Sequence, residues 1–338
     1  MRSGSWMRRL KVVVLVLCLM LAAMGWYGMH LPGRSFTGPE PAVTPTELSL
    51  ASRLRVHVQA IASTPHNLNK YPQELEAAAD YIGGVLSSYG YRPQPQIFEV
   101  GGKQVRNIAV TLNASGTAPP KRTIVIGAHY DSFDDAPGAC DNGTGTAAVI
   151  ELARLLADLK TADTRIIFVL FVNEEPPYFQ TPNMGSVHFA KLLADRGEPV
   201  AAMLSLETIG YFSDQPGSQN YPTPLNKVFP TTANFIAFVA ITGSRDLLQK
   251  VVGSFRRTTA VPSIGGVAPG WIEGVGWSDH WSFARMGFQA LMVTDTAVFR
   301  NPNYHKPTDT AEKVDFDKLA RVTLGLAQAI RDLANNGF

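Results

Sequence analysis

The chain has 338 residues, 45% of them hydrophobic and 17% charged, with a formal net charge of +2 and two cysteines. That apolar content excludes a disordered chain, and two cysteines exclude a disulfide framework or a Cys-built zinc finger. A net charge near zero gives no electrostatic footprint for nucleic acid. The first element is apolar: Arg2, Arg8, Arg9 and Lys11 precede an uncharged stretch from Val12 to Met29. Its length lies at the boundary between a signal-peptide core and a spanning helix. Leu21-Ala22-Ala23-Met24-Gly25-Trp26 is a poor cleavage site, and Cys18 follows Leu17 rather than the small residue a lipoprotein box requires. Trp26 and Tyr27 are placed as interface anchors. The expectation is an uncleaved, single-pass signal anchor over residues 1–30, keeping Met1 and holding the rest of the chain on the exported side of the cell membrane. Secretion after cleavage is the alternative. Residues 31–46, rich in Pro, Gly, Ser and Thr, read as an extended linker. No comparable linker interrupts residues 47–338, which read as one catalytic domain.

Within that domain, apolar spacing predicts helices over 47–62 and 72–89 and a strand over 106–112. A strand over 123–128 is apolar enough to be buried on both faces. A helix over 146–159, entered through Gly143 and Gly145, precedes a second buried strand over 165–172. A helix over 184–195, strands over 200–206 and 290–294 and a closing helix over 315–333 complete the pattern. The Gly/Pro-rich segments 212–232 and 256–280 read as loops. Alternating strands and helices predict an α/β sheet with helices on both faces, where ligands gather beyond the carboxyl ends of strands.

Those ends carry metal-ligand residue types. Strand 123–128 leads into His129-Tyr130-Asp131-Ser132, and a loop then delivers Cys140-Asp141-Asn142-Gly143 to a helix start. Strand 165–172 leads into Asn173-Glu174-Glu175, strand 200–206 into Glu207, and a late loop holds Tyr304-His305-Lys306-Pro307-Thr308-Asp309. Each has an ordinary reading alone: Asp141 as a helix cap or turn residue, Glu174-Glu175 as a solvated pair, Asp309 as a cap of the last helix. At successive strand ends of one sheet they converge. Imidazole and carboxylate ligands suit a divalent ion such as zinc, and one carboxylate beyond the need of a single site suggests two ions sharing a bridge.

His129-Tyr130-Asp131-Ser132, the Asp141-Asn142-Gly143-Thr144-Gly145 turn, Asn173-Glu174-Glu175, Leu206-Glu207-Thr208-Ile209-Gly210-Tyr211, Ser278-Asp279-His280 and Tyr304-His305-x-Pro307-x-Asp309 resemble the M28 family of zinc-dependent exopeptidases. The likeness runs from about residue 50 to the end. It implies a three-layer α/β sandwich around a mostly parallel mixed sheet, and two zinc ions per chain. By resemblance, Asp141 bridges the ions, His129 and Glu207 complete one, Glu175 and His305 the other, and Glu174 is the general base toward a metal-activated water. Asp131 and Asp309 support the ligands, and Tyr211, Asp279 and Tyr304 contact substrate. Many members carry Asp where Glu207 stands, which leaves Asp214 as a fallback ligand. His280 is read as structural or pocket-lining, and Trp271 and Trp277 as further pocket walls. The expected activity is removal of amino-terminal residues from peptides, with loops 212–232 and 256–280 setting the preferred residue. A glutaminyl cyclase on a similar fold and a non-catalytic ectodomain are the alternatives. Expected partners are peptide substrates and the membrane, through the N-terminal helix, and no nucleic acid. No residue marks an oligomer interface. Cys18 and Cys140 are too differently placed to pair.

Overall fold

The computed structural model describes residues 3–221, 223 and 225–337; Met1 and Arg2, part of the basic start, lie outside them. Among the described residues eight strands form one sheet: β1 (Gln94–Val100), β2 (Lys103–Leu112), β3 (Arg122–His129), β4 (Thr164–Phe171), β5 (Val200–Glu207), β6 (Ile236–Ile241), β7 (Ser263–Ala268) and β8 (Ala290–Thr294). Their order is β1-β2-β4-β3-β5-β8-β6-β7. β4, β3, β5 and β8 run parallel, side by side, so their carboxyl ends share one rim. β2 and β6 flank this block antiparallel, and β7 runs parallel to β6.

The pleat assigns each side chain to a layer. On β4, Ile166, Phe168 and Leu170 enter the thick layer, while Ile167, Val169 and Phe171 enter the thin one. The thick layer holds α2 (Pro45–Ile61), α3 (Pro72–Ser88), α4 (Gly145–Leu155), α6 (Arg245–Thr258) and α8 (Phe316–Asn336). The thin layer holds α5 (Gly185–Asp195) and α7 (His280–Arg285). Phe168 and Phe171 are fully buried on opposite faces, each contributing roughly 1.5–3 kcal/mol of apolar burial. This period of two carries through to the rim. His129 follows Val125 and Gly127 on the thin-layer side of β3, and Glu207 follows Met203 and Ser205 on the same side of β5.

The predicted elements are present with ends shifted by a few residues, and the α/β three-layer class holds. Segment 256–280 departs from the loop reading: it contains the end of α6, all of β7 and the approach to α7. β1, β6, α6 and α7 were also not anticipated. In β7, glycine reads as a loop signal, yet a Cβ on Gly265 would collide with the Phe238 carbonyl of β6. The glycine is there because two strands approach closely.

The N-terminal helix α1 (Ser3–Met29) contains a 24-residue apolar stretch, Trp6–Met29, whose most apolar window has a mean hydropathy of 2.3 and is not buried in the molecule. It is long and apolar enough for a membrane span or a signal sequence. Its end is fixed to the domain: Arg245 Nε donates to the Tyr27 carbonyl at 3.2 Å and Gln249 Nε2 to the His30 carbonyl at 2.6 Å. Residues 31–46 are irregular up to the start of α2, but they are fastened rather than swinging as a free tether. Arg256 Nη1 donates to the Pro32 and Gly33 carbonyls, both at 3.1 Å, the Ser263 amide donates to Ser35 Oγ at 2.8 Å, and Arg321 pairs with Glu40 and Glu47. Cys18 is exposed, Cys140 is buried, and both are free thiols.

Candidate metal centre

The rim gathers five ligand-type side chains from three strand ends and two turns. Asp141 arrives on the turn Ala139–Thr144 that leads into α4, with non-helical φ/ψ at Asp141 and Asn142 and a cis Asp141–Asn142 peptide. Asn142 ties this turn to β5, donating to the Leu206 carbonyl at 2.8 Å and accepting from the Thr208 and Gly145 amides at 3.1 and 3.0 Å. Gly145 is required there, because a Cβ would run into the Leu206 carbonyl. Asn173, Thr208 and His305 have φ of 59°, 41° and 57°. Non-glycine residues pay roughly 1–2 kcal/mol each for this conformation. The cost falls where the chain must turn sharply to present Glu174, Glu207 and the His305 imidazole.

The Asp141 carboxylate lies between two clusters, one oxygen toward each. His129 Nε2 is 3.4 Å from Asp141 Oδ1 and 3.4 Å from Glu207 Oε2. His305 Nε2 is 3.1 Å from Asp141 Oδ2 and 3.2 Å from Glu175 Oε2. Tetrahedral zinc with bonds of about 2.0–2.1 Å spaces its ligand atoms about 3.3 Å apart. His129 Nε2, Asp141 Oδ2, Glu175 Oε1 and His305 Nε2 are all buried without a hydrogen-bond partner, a costly state for polar atoms that a cation resolves. The donor types, their spacing and these orphaned atoms fit zinc in both triads, His129–Asp141–Glu207 and Asp141–Glu175–His305.

The charges within the cluster act on each other. Burial opposes ionisation of Asp141, but the imidazoles of His129 and His305 on either side outweigh it and hold its carboxyl well below the usual range. Burial, with the Asp141 charge beside it, pushes Glu175 up to about 8. Burial and the nearby Glu207, Glu175 and Asp279 carboxylates raise Glu174 well above its ordinary value, against the pull of His129. Burial would lower His305, but Asp141 and Glu175 carry it up to about 10.

A surrounding shell fixes these groups. Asp131 accepts the Glu174 amide on one oxygen and the Glu175 amide on the other, both at 3.1 Å. Its carboxylate is 3.6 Å from His129 Nδ1, whereas its own backbone carbonyl takes that nitrogen at 3.1 Å. Asp131 therefore clamps the Glu-Glu pair as well as steering the imidazole. Asp309 accepts the Cys140 amide at 3.0 Å and the Asp141 amide at 3.1 Å; the cap of α8 is instead Asp315. The His305 ring stacks on Phe133 and on Tyr304, with centroids 3.9 Å away in both cases. Ser278 was missed as a functional residue: its hydroxyl donates to Glu207 Oε2 at 2.7 Å and bonds Ser205 Oγ at 2.8 Å. The signal was present, since a buried carboxylate needs a donor and Ser278 opens a motif already singled out.

A cavity of about 240 Å³ adjoins the cluster, with Glu207, Trp277 and Tyr304 among its walls. Tyr211, Asp279, His280 and Trp271 are not among its lining residues. Tyr211 packs against the thick core, its amide held by Asp295. Asp279 and His280 are fully buried at the start of α7, and His280 Nε2 bonds the Val275 carbonyl at 2.8 Å. Trp271 is 85% exposed. Asp214 is away from the cluster, paired with Asn234 and Lys318, which removes it as a fallback ligand.

A mixed sheet whose parallel rim holds two carboxylate–imidazole triads defines a metallo-hydrolase of the α/β exopeptidase class. The chain belongs to peptidase family M28, whose sequence profile matches residues 107–330; it is a metallo-exopeptidase. The uncharacterised protein YfbL of Escherichia coli (strain K12) is 36% identical over 263 residues, spanning 75% of this chain and 78% of that protein. A probable zinc metalloprotease of Pyrenophora tritici-repentis (strain Pt-1C-BFP) is 26% identical over 302 residues, covering 77% of this chain and 61% of the relative's length. In fold, the chain is similar to an aminopeptidase from Aneurinibacillus sp. strain AM-1, with TM-score 0.64, 19% identity, and 84% and 94% of the two chains covered. It is also similar to the Bacteroides thetaiotaomicron glutaminyl cyclase, with TM-score 0.61, 16% identity, and 89% and 100% covered.

Proposed function

We propose that the chain is a zinc aminopeptidase using two zinc ions, with α1 as an uncleaved membrane anchor, residues 31–46 as a fastened connector and 47–338 as the catalytic domain on the exported side. The observation that carries the reading is the split of the Asp141 carboxylate, one oxygen to each triad. His129 and Glu207 with Asp141 would hold one ion, and Glu175 and His305 with Asp141 would hold the other. Bound zinc supplies Lewis-acid polarisation of the scissile carbonyl and makes water acidic enough to attack near neutral pH. Glu174 lies outside these two triads, although with His129 and Glu175 it forms a third group of ligand-type side chains. Its Oε2 is 3.9 Å from His129 Nε2 and its amide is held by Asp131. A buried carboxylate among others has a raised proton affinity, which suits a base that takes a proton from water and returns it to the leaving amine. Asp131 and Asp309 keep the base and the bridging ligand in register, and Tyr304 lies beside both His305 and the cavity.

The test is a panel of aminoacyl substrates and amino-terminal Gln peptides on the full chain, with chelator and after zinc return, alongside metal analysis. Hydrolysis lost to chelator and restored by two zinc ions per chain is expected. Cyclisation of amino-terminal Gln without hydrolysis assigns the cyclase reading instead, and inertness toward both assigns a non-catalytic ectodomain. Glu174→Gln is expected to lower kcat by about 10²–10⁴-fold with zinc content unchanged; full activity would remove Glu174 as the base.

A further inference from the structure

The cavity beside the metal centre does not end inside the catalytic domain. It runs from Glu207 and Tyr304 past Val239 and Ile264 to Val267 and then Met29, the last residue of α1. Nearly all of its wall is apolar. The junction with α1 is tight: a Cβ on Gly28 would lie 2.9 Å from the Val267 carbonyl oxygen. The Arg245 guanidinium sits 4.1 Å from the centroid of the Tyr27 ring while its Nε holds the Tyr27 carbonyl. The anchor therefore meets the domain at the far end of the cavity and in one orientation.

Around that end the surface is apolar and unusually bare. Trp26 and Tyr27 are exposed on the last turns of α1, and Trp271, four residues past Val267, is more exposed than any other large apolar side chain described. Val298, a cavity wall, is also exposed. Aromatic side chains at the end of an apolar span settle at the level of lipid headgroups. Trp271 on the adjoining loop is a second exposed Trp, of the residue type that settles at that level.

We propose that this cavity is an entry from the membrane surface, and that the preferred substrates are peptides with apolar amino-terminal segments partitioned into the bilayer interface. Such a segment exchanges the lipid interface for an apolar wall at Met29 and Val267, so it reaches Glu207 and Tyr304 without crossing water. An apolar residue released to water first would lose the stabilisation of its buried surface. This inference rests on α1 being a membrane anchor and on the exopeptidase reading of the adjoining centre.

The experiment uses the full zinc-loaded chain in phosphatidylcholine vesicles and two peptides that share an amino-terminal Leu. One is short and water-soluble; the other continues into an apolar stretch that partitions onto vesicles. Trp271→Glu is expected to lower the ratio of kcat/KM, vesicle-borne over soluble, by about tenfold or more, since a carboxylate is far less tolerated at the interface than indole. The soluble peptide is expected to react as with the wild-type chain. Independently of activity, brominated lipids are expected to quench an emission component that Trp271→Phe removes. An unchanged ratio, or a Trp271 component indifferent to brominated lipid, overturns the proposal. Failure of the wild-type chain to hydrolyse either peptide instead overturns the exopeptidase reading beneath it.

Discussion

Replacing Asp131 by Asn tests how the metal centre is held without touching a ligand. Each Asp131 oxygen accepts one backbone amide, from Glu174 and from Glu175, at 3.1 Å. Asparagine keeps one acceptor and turns an NH₂ group toward the other amide, so one hydrogen bond to a charged group is lost and two donors face each other. Such a bond contributes about 1.5–3 kcal/mol. If that loss falls on the zinc-bound state, affinity drops by about 10- to 150-fold at 1.36 kcal/mol per decade, the range typical of groups that orient ligands. Because the same clamp holds both the base and a ligand, kcat should fall even at saturating zinc. Competition with a chromophoric chelator measures the affinity, and single-turnover rates on zinc-saturated enzyme measure the base. A melting curve close to the wild type confirms that the fold persists. Asp131→Asn with wild-type zinc affinity and wild-type turnover would refute the clamp.

Two further outcomes follow from the shell and from a remote network. Ser278→Ala removes the donor to Glu207 Oε2 and is expected to weaken zinc about tenfold; titration calorimetry showing no change would mean that Glu207 is oriented without it. In the thick layer, Glu151 is buried among His57, Arg53, Arg154 and Tyr89. Burial opposes its ionisation, but hydrogen bonds from these partners hold it at about 2 against the usual 4.5. A depressed carboxyl stabilises the fold above the unfolded value and loses that contribution as pH falls through the folded one. Urea midpoints should therefore drop between about pH 4.5 and 2, and Glu151→Gln should be less stable near neutrality with a flatter profile in that window. Parallel profiles would exclude Glu151 as the source.

The strands that bear the site were legible because they are buried on both faces. β3, β4, β5 and β8 are runs of Val, Ile, Leu, Phe and Met whose ends announce themselves by abrupt polarity at His129, Asn173 and Glu207. β1 was not legible because an edge strand with Pro95 and alternating polar residues carries little apolar signal. β7 was hidden by glycines that serve strand contact. α6 did carry a readable pattern, with Leu247, Leu248, Val251, Val252 and Phe255 buried at helical spacing, yet it lies between Gly/Pro-rich segments that draw the eye to loops. At the site, ligand types at strand ends could be picked out. Which Asp131 atom meets His129, and that Asp279 is fully buried at the start of α7, depend on layers meeting in three dimensions. The cavity's outer end was least accessible of all, since it joins residue 29 to residue 267.

β7 is the last strand of the sheet, and its free side is where the α1 end and Ser35 are laid down. An unpaired strand edge is a template for pairing with another chain. A chain cut back to residue 47, the form most convenient for expression, would lose Ser35, Gly28 and Met29 together. It would leave a short, glycine-bearing, apolar edge in water beside the open end of the cavity. Such a fragment is expected to self-associate through that edge, which would make the N-terminal segment a guard against aggregation.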